Sequence, residues 1–199
     1  MLDFIIKTVT GKNTNAFARD NLFKPLGMKD TSYIKSAKKI AGRVVERIPP
    51  EGKKVNWMSS TGCFSHMGGC CSVSTTAYDL AIFGQMFLNG GVYNGVRVLS
   101  KKSVELMTTN QIPGVPAVYG AETFREAAWG MGFNTHGVQN KYPSARAFSH
   151  GGYAGSYLLV DPVYDIVVVI LKALHFLKQE DYGGVLEAVI ESLNDYKPG

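Results

Sequence analysis

Phe148-Ser149-His150-Gly151-Gly152-Tyr153-Ala154-Gly155-Ser156, running on through Tyr157-Leu158-Leu159-Val160-Asp161-Pro162-Val163-Tyr164-Asp165 to Ile166-Val167-Val168-Val169-Ile170-Leu171, carries the clearest structural signal in the chain. Ser156–Val160 and Ile166–Leu171 are β-rich runs, and the Asp-Pro-Val-Tyr-Asp segment between them predicts an antiparallel hairpin. The second run lacks alternation, so both of its faces are expected to be covered. Leu186, Val189, Ile190 and Leu193 recur at helical spacing and give a closing amphipathic helix suited to lie on that sheet.

Upstream, the pattern is mostly helical. Leu2, Ile5, Ile6 and Val9 predict a short amphipathic helix stopped by Gly11. A second helix opens near Asn13 or Thr14 and is expected to end before Pro25. Residues 31–73 hold Pro49-Pro50 and little periodicity, which predicts loops and short strands. Thr76 and Asp79 have the spacing of a capping box. The helix they open carries Ala77, Leu80, Ala81, Gly84, Phe87 and Leu88 on one face and Ile82, Phe83 and Met86 off it, so it is buried nearly all round. Asn94-Gly95 predicts a tight hairpin within residues 92–98, and Ser100 caps a helix running through Met107. Helices, then strands, then one helix make an α+β arrangement. Its parts are residues 1–145, mostly helices and loops, and 146–199, sheet strands and a C-terminal helix.

Composition narrows the function classes. The chain has 199 residues, with 45% hydrophobic and 19% charged, which is an ordinary globular balance. Glycine is high at 22 residues, so tight turns and close backbone approaches are expected. The net charge of +5 is uneven, because residues 1–60 hold 12 Lys/Arg against 5 Asp/Glu. Those cations are dispersed without interleaved aromatics, so a solvated face is expected and no nucleic-acid partner. Ile166–Leu171 is the longest apolar run and is far too short to cross a bilayer, so no membrane span is expected. Met1–Gly11 lacks a basic stretch followed by a cleavable apolar one, so no signal peptide is expected in this chain, and its location stays open.

His150-Gly151-Gly152 fits two readings. Two glycines after a histidine let a substrate lie close against the backbone, and the imidazole can donate to a carboxylate or assist proton transfer. The same residues also suit a plain turn with a surface histidine. Cys63, His66, Cys70 and Cys71 offer soft ligands, yet their order does not match the paired spacing of zinc sites, so no metal and no cofactor are expected. Three cysteines, two of them adjacent, make a poor disulfide framework. A Ser-His-Asp set of His150 with Asp161 or Asp165 has no Gly-x-Ser-x-Gly elbow to support it.

Phe23-Lys24-Pro25-Leu26-Gly27-Met28-Lys29-Asp30-Thr31, then Gly68-Gly69 with Ser74-Thr75-Thr76-Ala77-Tyr78-Asp79-Leu80, then His150-Gly151-Gly152-Tyr153-Ala154-Gly155, occur in an order that resembles the serine β-lactamase and penicillin-binding family. That family includes class C β-lactamases, D-Ala-D-Ala carboxypeptidases and related esterases. The resemblance runs over nearly the whole chain and implies an antiparallel sheet with flanking helices, with the N-terminal part of the fold missing. It places His150-Gly151-Gly152 at the family's Lys/His-Thr/Ser-Gly box on the edge strand facing the active site. Gly151 and Gly152 then line the substrate, and His150 binds a carboxylate or orients the nucleophile network. Tyr153 takes the position whose backbone N–H is one oxyanion-hole donor, a feature worth roughly 2.7–4 kcal/mol of barrier.

The family's Ser-x-x-Lys and Tyr-x-Asn motifs do not have convincing counterparts. Ser32-Tyr33-Ile34-Lys35 and Ser36-Ala37-Lys38-Lys39 match the first only literally, Tyr-x-Asn is absent, and Ser192-Leu193-Asn194 lies on the terminal helix. The resemblance therefore implies the C-terminal portion of a serine hydrolase acting on a β-lactam, D-Ala peptide or ester, inactive alone. The alternative is a non-catalytic carboxylate-binding or assembly module. The missing first strands imply an unprotected side of the Ile166–Leu171 sheet, to be paired by a complementary N-terminal fragment, a second copy or a swapped strand. An export signal would belong to that absent part.

Overall fold

The computed structural model describes residues 1–33, 73–119, 122–124, 126–135, 143–152, 155–171 and 180–193. Helix α1 spans Leu2–Thr10 and stops at Gly11, which is left-handed and returns its N–H to Lys7 O. Asp3 accepts a 2.6 Å hydrogen bond from Thr14 Oγ1, tying α1 to α2 (Thr14–Ala18), whose N-cap Asn13 accepts from Ala16 N. Leu2, Ile5 and Val9 are exposed, so the apolar stripe of α1 is uncovered among the described residues.

Helix α2 itself ends at Ala18, but the helical run does not stop before Pro25. A π-helical turn, Arg19–Phe23, carries the chain directly into α3 (Lys24–Leu26), where Pro25 sits in the first turn. Proline is favoured in a first helical turn because its fixed φ suits the helix, and the neighbouring Lys24 N–H still donates, to Arg19 O. Gly27, left-handed, then ends the run: its N–H reaches Lys24 O and that of Met28 reaches Phe23 O. This double bond pattern closes the helix end and turns Phe23, Leu26 and Met28 into the core.

Residues 34–72 lie outside the description, including Ser36, Gly68, Gly69, Pro49-Pro50 and the Cys63/His66/Cys70/Cys71 group. At their borders Ser32 and Ser74 form an antiparallel bridge. Helix α4 spans Ala77–Leu88, with Thr76 Oγ1 accepting from Asp79 N at 3.2 Å. Only half of the capping box forms. The buried Asp79 carboxylate does not reach back; its Oδ2 accepts from Asp30 N (2.8 Å) and Thr31 Oγ1 (2.7 Å), which fastens the chain after Met28 to the helix start.

After α4 come the hairpin β1 (Val92–Tyr93) and β2 (Val96–Arg97), with both Asn94 and Gly95 at positive φ, and then α5 (Lys101–Thr108), capped by Ser100. A second small hairpin joins β3 (Ala117–Tyr119) to β4 (Glu122–Phe124). The main sheet is antiparallel in the order β5 (Asn134–Thr135), β6 (Phe148–Gly151), β7 (Ser156–Asp161), β8 (Ile166–Leu171). The closing helix α6 spans Glu180–Leu193, with Leu186 buried and Val189, Ile190 and Leu193 half-buried, the stripe expected from the sequence.

Helix α4 lies on β7 and β8. Gly84 allows the close approach, because a Cβ there would stand 2.6 Å from Val167 Cγ1. Strand β8 is half-buried from Ile166 to Ile170 and exposed at Leu171 rather than covered on both faces, since it pairs with β7 alone among the described residues and forms that edge of the sheet. In the β7–β8 turn, Asp161 Oδ1 accepts from Ser144 Oγ, Val163 N and Tyr164 N, and Asp165 takes positive φ.

Candidate active site

Strand β6 is built from two unlike halves. Phe148 and Ser149 are buried, while His150 and Gly151 are exposed. Phe148 belongs to a ring cluster with Phe87 of α4 and Phe133, at centroid separations of 4.9 Å (Phe87–Phe133), 5.0 Å (Phe133–Phe148) and 6.1 Å (Phe87–Phe148). Side chains two apart on a strand share a face, so this cluster also fixes the side on which His150 emerges.

The sequence resemblance places the His-Gly-Gly box on an edge strand. In the sheet order β6 is internal, but its outer neighbour is only two residues long. Strand β5 pairs Thr135 with Phe148 and Asn134 with Ser149, and there it stops. From His150 onward the outer side of β6 has no strand neighbour among the described residues, while the inner side continues against β7, with His150 opposite Leu158 and Gly151 opposite Tyr157. The box is thus an open edge created by a short partner.

Gly152 N donates to Ser156 O at 2.7 Å and Gly155 N to Gly152 O at 2.9 Å, closing the turn into β7. A Cβ on Gly152 would collide with Ser156 Oγ, whereas one on Gly151 would meet Tyr157 Cδ2 at an ordinary 3.6 Å. The Ser156 hydroxyl can rotate away, so the turn itself does not demand Gly152, and the two glycines together leave the strand end bare of side chains. Tyr153 and Ala154 lie outside the described residues, as do His136 and His175. Ser32 is in the backbone bridge to Ser74 and not on a helix.

A short turn missed in the sequence completes the surroundings of His150. Trp129 and Asn134 form an antiparallel bridge around Gly130, Met131 and Gly132, with Gly130 N donating to Phe133 O at 2.8 Å. His150 Nδ1 lies 2.7 Å from Gly132 O, and the Trp129 ring meets the imidazole edge-on at 5.8 Å. The alternation of Trp129 and Phe133 with Gly130 and Gly132 was the available signal. Among the described residues no group of three metal-ligating side chains is clustered, and no helix is long and apolar enough to cross a membrane.

The profile of the beta-lactamase family matches residues 1–183. The chain belongs to the beta-lactamase family. A relative from Escherichia coli O157:H7, provisionally named D-alanyl-D-alanine carboxypeptidase, is 24% identical over 196 residues, covering 86% of this chain and 42% of its own. Among solved structures, a beta-lactamase from Mycobacterium bovis superposes with a TM-score of 0.65 at 22% identity, over 96% of this chain and 59% of that one. A family VIII carboxylesterase gives 0.69 at 19% identity, over 94% and 54%. These likenesses establish the shared mixed helix-and-sheet fold. The chain spans less than half the length of that named relative, and its fold corresponds to a part of those solved chains.

Proposed function

We propose that this chain supplies the His150-Gly151-Gly152 wall of an acyl-transfer site in a β-lactamase-family serine hydrolase, acting on a small-molecule or peptide substrate: a β-lactam, a D-Ala-terminated peptide or an ester. The observation that carries the reading is the open edge of β6, where an exposed histidine and a bare glycine follow two core-anchored residues. A substrate backbone or acyl group has access there that a fully paired strand would deny. Tyr153 supplies its backbone N–H to the developing oxyanion, and the nucleophile and its base come from residues outside these 199, carried by a complementary N-terminal segment.

The test is intact-protein mass after treatment with a fluorophosphonate and, separately, a penicillin, followed by peptide mapping. The folded chain alone is expected to take no adduct. A stoichiometric adduct on Ser32, Ser36 or a cysteine would show that the nucleophile is internal and overturn the proposal. Adding a segment that carries Ser-x-x-Lys and Tyr-x-Asn is expected to restore labelling, on that segment's serine. Failure of every such segment to restore it favours a silent binding module instead.

A further inference from the structure

Gly132 O is a carbonyl and can only accept, so the 2.7 Å contact requires His150 Nδ1 to carry the proton. In the neutral ring the second nitrogen, Nε2, then holds a lone pair, and it has no protein partner among the described residues. We infer that the Trp129–Gly132 turn is the positioning partner of His150. It fixes the Nδ1–H tautomer of the neutral ring and presents Nε2 as a hydrogen-bond acceptor, so the neutral wall prefers a substrate group that offers a donor (a hydroxyl, amine or amide N–H) to a carboxylate, which among the three substrate classes above favours the ester.

The turn is built to hold that carbonyl still. Phe133, the next residue, is buried between the Phe87 and Phe148 rings. Gly130 packs so tightly against the end of α5 that a Cβ would collide with Met107 O. The bridge from Trp129 to Asn134 closes the loop, and Trp129 walls one edge of the imidazole. Core packing on both sides of Gly132 leaves its oxygen little freedom, as a positioning role demands. Among the described residues the groups facing the ring are the Gly132 carbonyl and the Trp129 indole, with Leu158 opposite His150 on β7, and no charged side chain is paired with it. Imidazole free in water favours the opposite tautomer, Nε2–H, so the structure makes a specific demand.

The inference rests on the acyl-transfer role proposed above but is measured without turnover. The full chain is labelled with nitrogen-15, and long-range histidine correlation spectra are recorded where the rings are neutral, with His150 assigned by its loss in His150→Asn. The expected signature is a protonated-type shift at Nδ1 and an unprotonated-type shift at Nε2. Gly132 stands at φ +101, where a side chain is strained, so Gly132→Ala displaces the carbonyl and is expected to move His150 towards the free-ring tautomer mixture. Propanamide and propionate, equal in shape, are then titrated while the Nε2 and Gly151 amide resonances are followed. Propanamide is expected to bind about tenfold more tightly, the worth of one hydrogen bond. His150→Asn, which keeps an amide donor for Gly132 O, is expected to lose that preference. An Nε2–H signature, or equal or tighter binding of propionate, overturns the inference even if Gly132→Ala fails to fold. So does a Gly132→Ala protein that folds with an unchanged tautomer. A wrong tautomer leaves the acyl-transfer proposal standing, and an internal serine adduct removes that proposal without touching the tautomer.

Discussion

Gly84→Ala adds one methyl group where helix α4 crosses the sheet, and the structure fixes the sign of its effect. The new Cβ would stand 2.6 Å from Val167 Cγ1 and 3.1 Å from Leu158 Cδ1. Carbon atoms in comfortable contact are about 3.5–4.0 Å apart, so helix and strand must part locally by about 1 Å. Val167 is β-branched and cannot swing aside freely. Overpacking of this kind costs about 1–3 kcal/mol, against a gain of about 1 kcal/mol from replacing glycine inside a helix. The expected net effect is a destabilisation of about 1 kcal/mol. Urea unfolding of the full chain reads it as a lower midpoint at unchanged slope. Val167→Ala removes the obstacle, so the double variant is expected to show a favourable coupling of about 1 kcal/mol. A neutral or stabilising Gly84→Ala, or a cycle with no coupling, would refute the claim that this glycine sets the spacing between α4 and β8.

Asp79→Ala removes two charge-assisted bonds from a buried carboxylate, to Asp30 N and Thr31 Oγ1, and is expected to cost about 3 kcal/mol in the same assay; a cost below that of a single surface cap would show that Thr76 alone secures the helix start. Asp20 is held at about 2, against an ordinary 3.8, first by its hydrogen bond to Arg19 and then by that to Lys12. A carboxylate depressed in the folded state adds stability above its unfolded value and loses it as the pH falls from about 3.8 through about 2. Carboxyl carbon-13 titration is expected to find that low midpoint and to see it rise further in Arg19→Gln than in Lys12→Gln; the reverse order would contradict the geometry.

Local rules made much of the fold legible, and the losses have physical causes. Asn94-Gly95 demanded positive φ twice and formed its hairpin, and Thr76 and Ser100 capped the helices they precede. In each case the information sits within four residues. The Thr76–Asp79 spacing could not show that the Asp79 carboxylate turns away from Thr76 to Asp30 and Thr31, because those residues are 49 and 48 positions away in sequence. The apolar stripe of α1 was readable as a stripe, but periodicity does not say whether anything covers it, and Leu2 and Val9 are exposed. Strand β5 escaped because two residues, Asn134 and Thr135, carry no alternation. With it went the reason for the open edge at His150, a property of strand length and register that no motif encodes.

The His-Gly-Gly motif marks a location, and two glycines outside it, with a backbone bond made by its own Gly152, decide the geometry around it. Gly84 lets α4 sit low on β7 and β8, which brings Phe87 to Phe148 and so sets the height of β6. Gly130 lets the Trp129–Phe133 turn press on the end of α5, which brings Phe133 into the same ring cluster. The Gly152 N–H donates to Ser156 O at 2.7 Å and so ties the end of β6 to β7 two residues after His150. Phe133 and Phe148 meet at 5.0 Å, one residue from Gly132 and two from His150. The imidazole–carbonyl contact is therefore set by core packing that both residues inherit, and a substitution in the ring cluster should disturb the His150 tautomer before it unfolds the chain. Phe133→Leu is the informative case. It keeps an apolar core residue while removing both edge-on ring contacts, worth about 1 kcal/mol each, so the protein is expected to remain folded. If His150 then kept a pure Nδ1–H signature, the orientation of the ring would owe nothing to the aromatic cluster, and the turn alone would have to account for it.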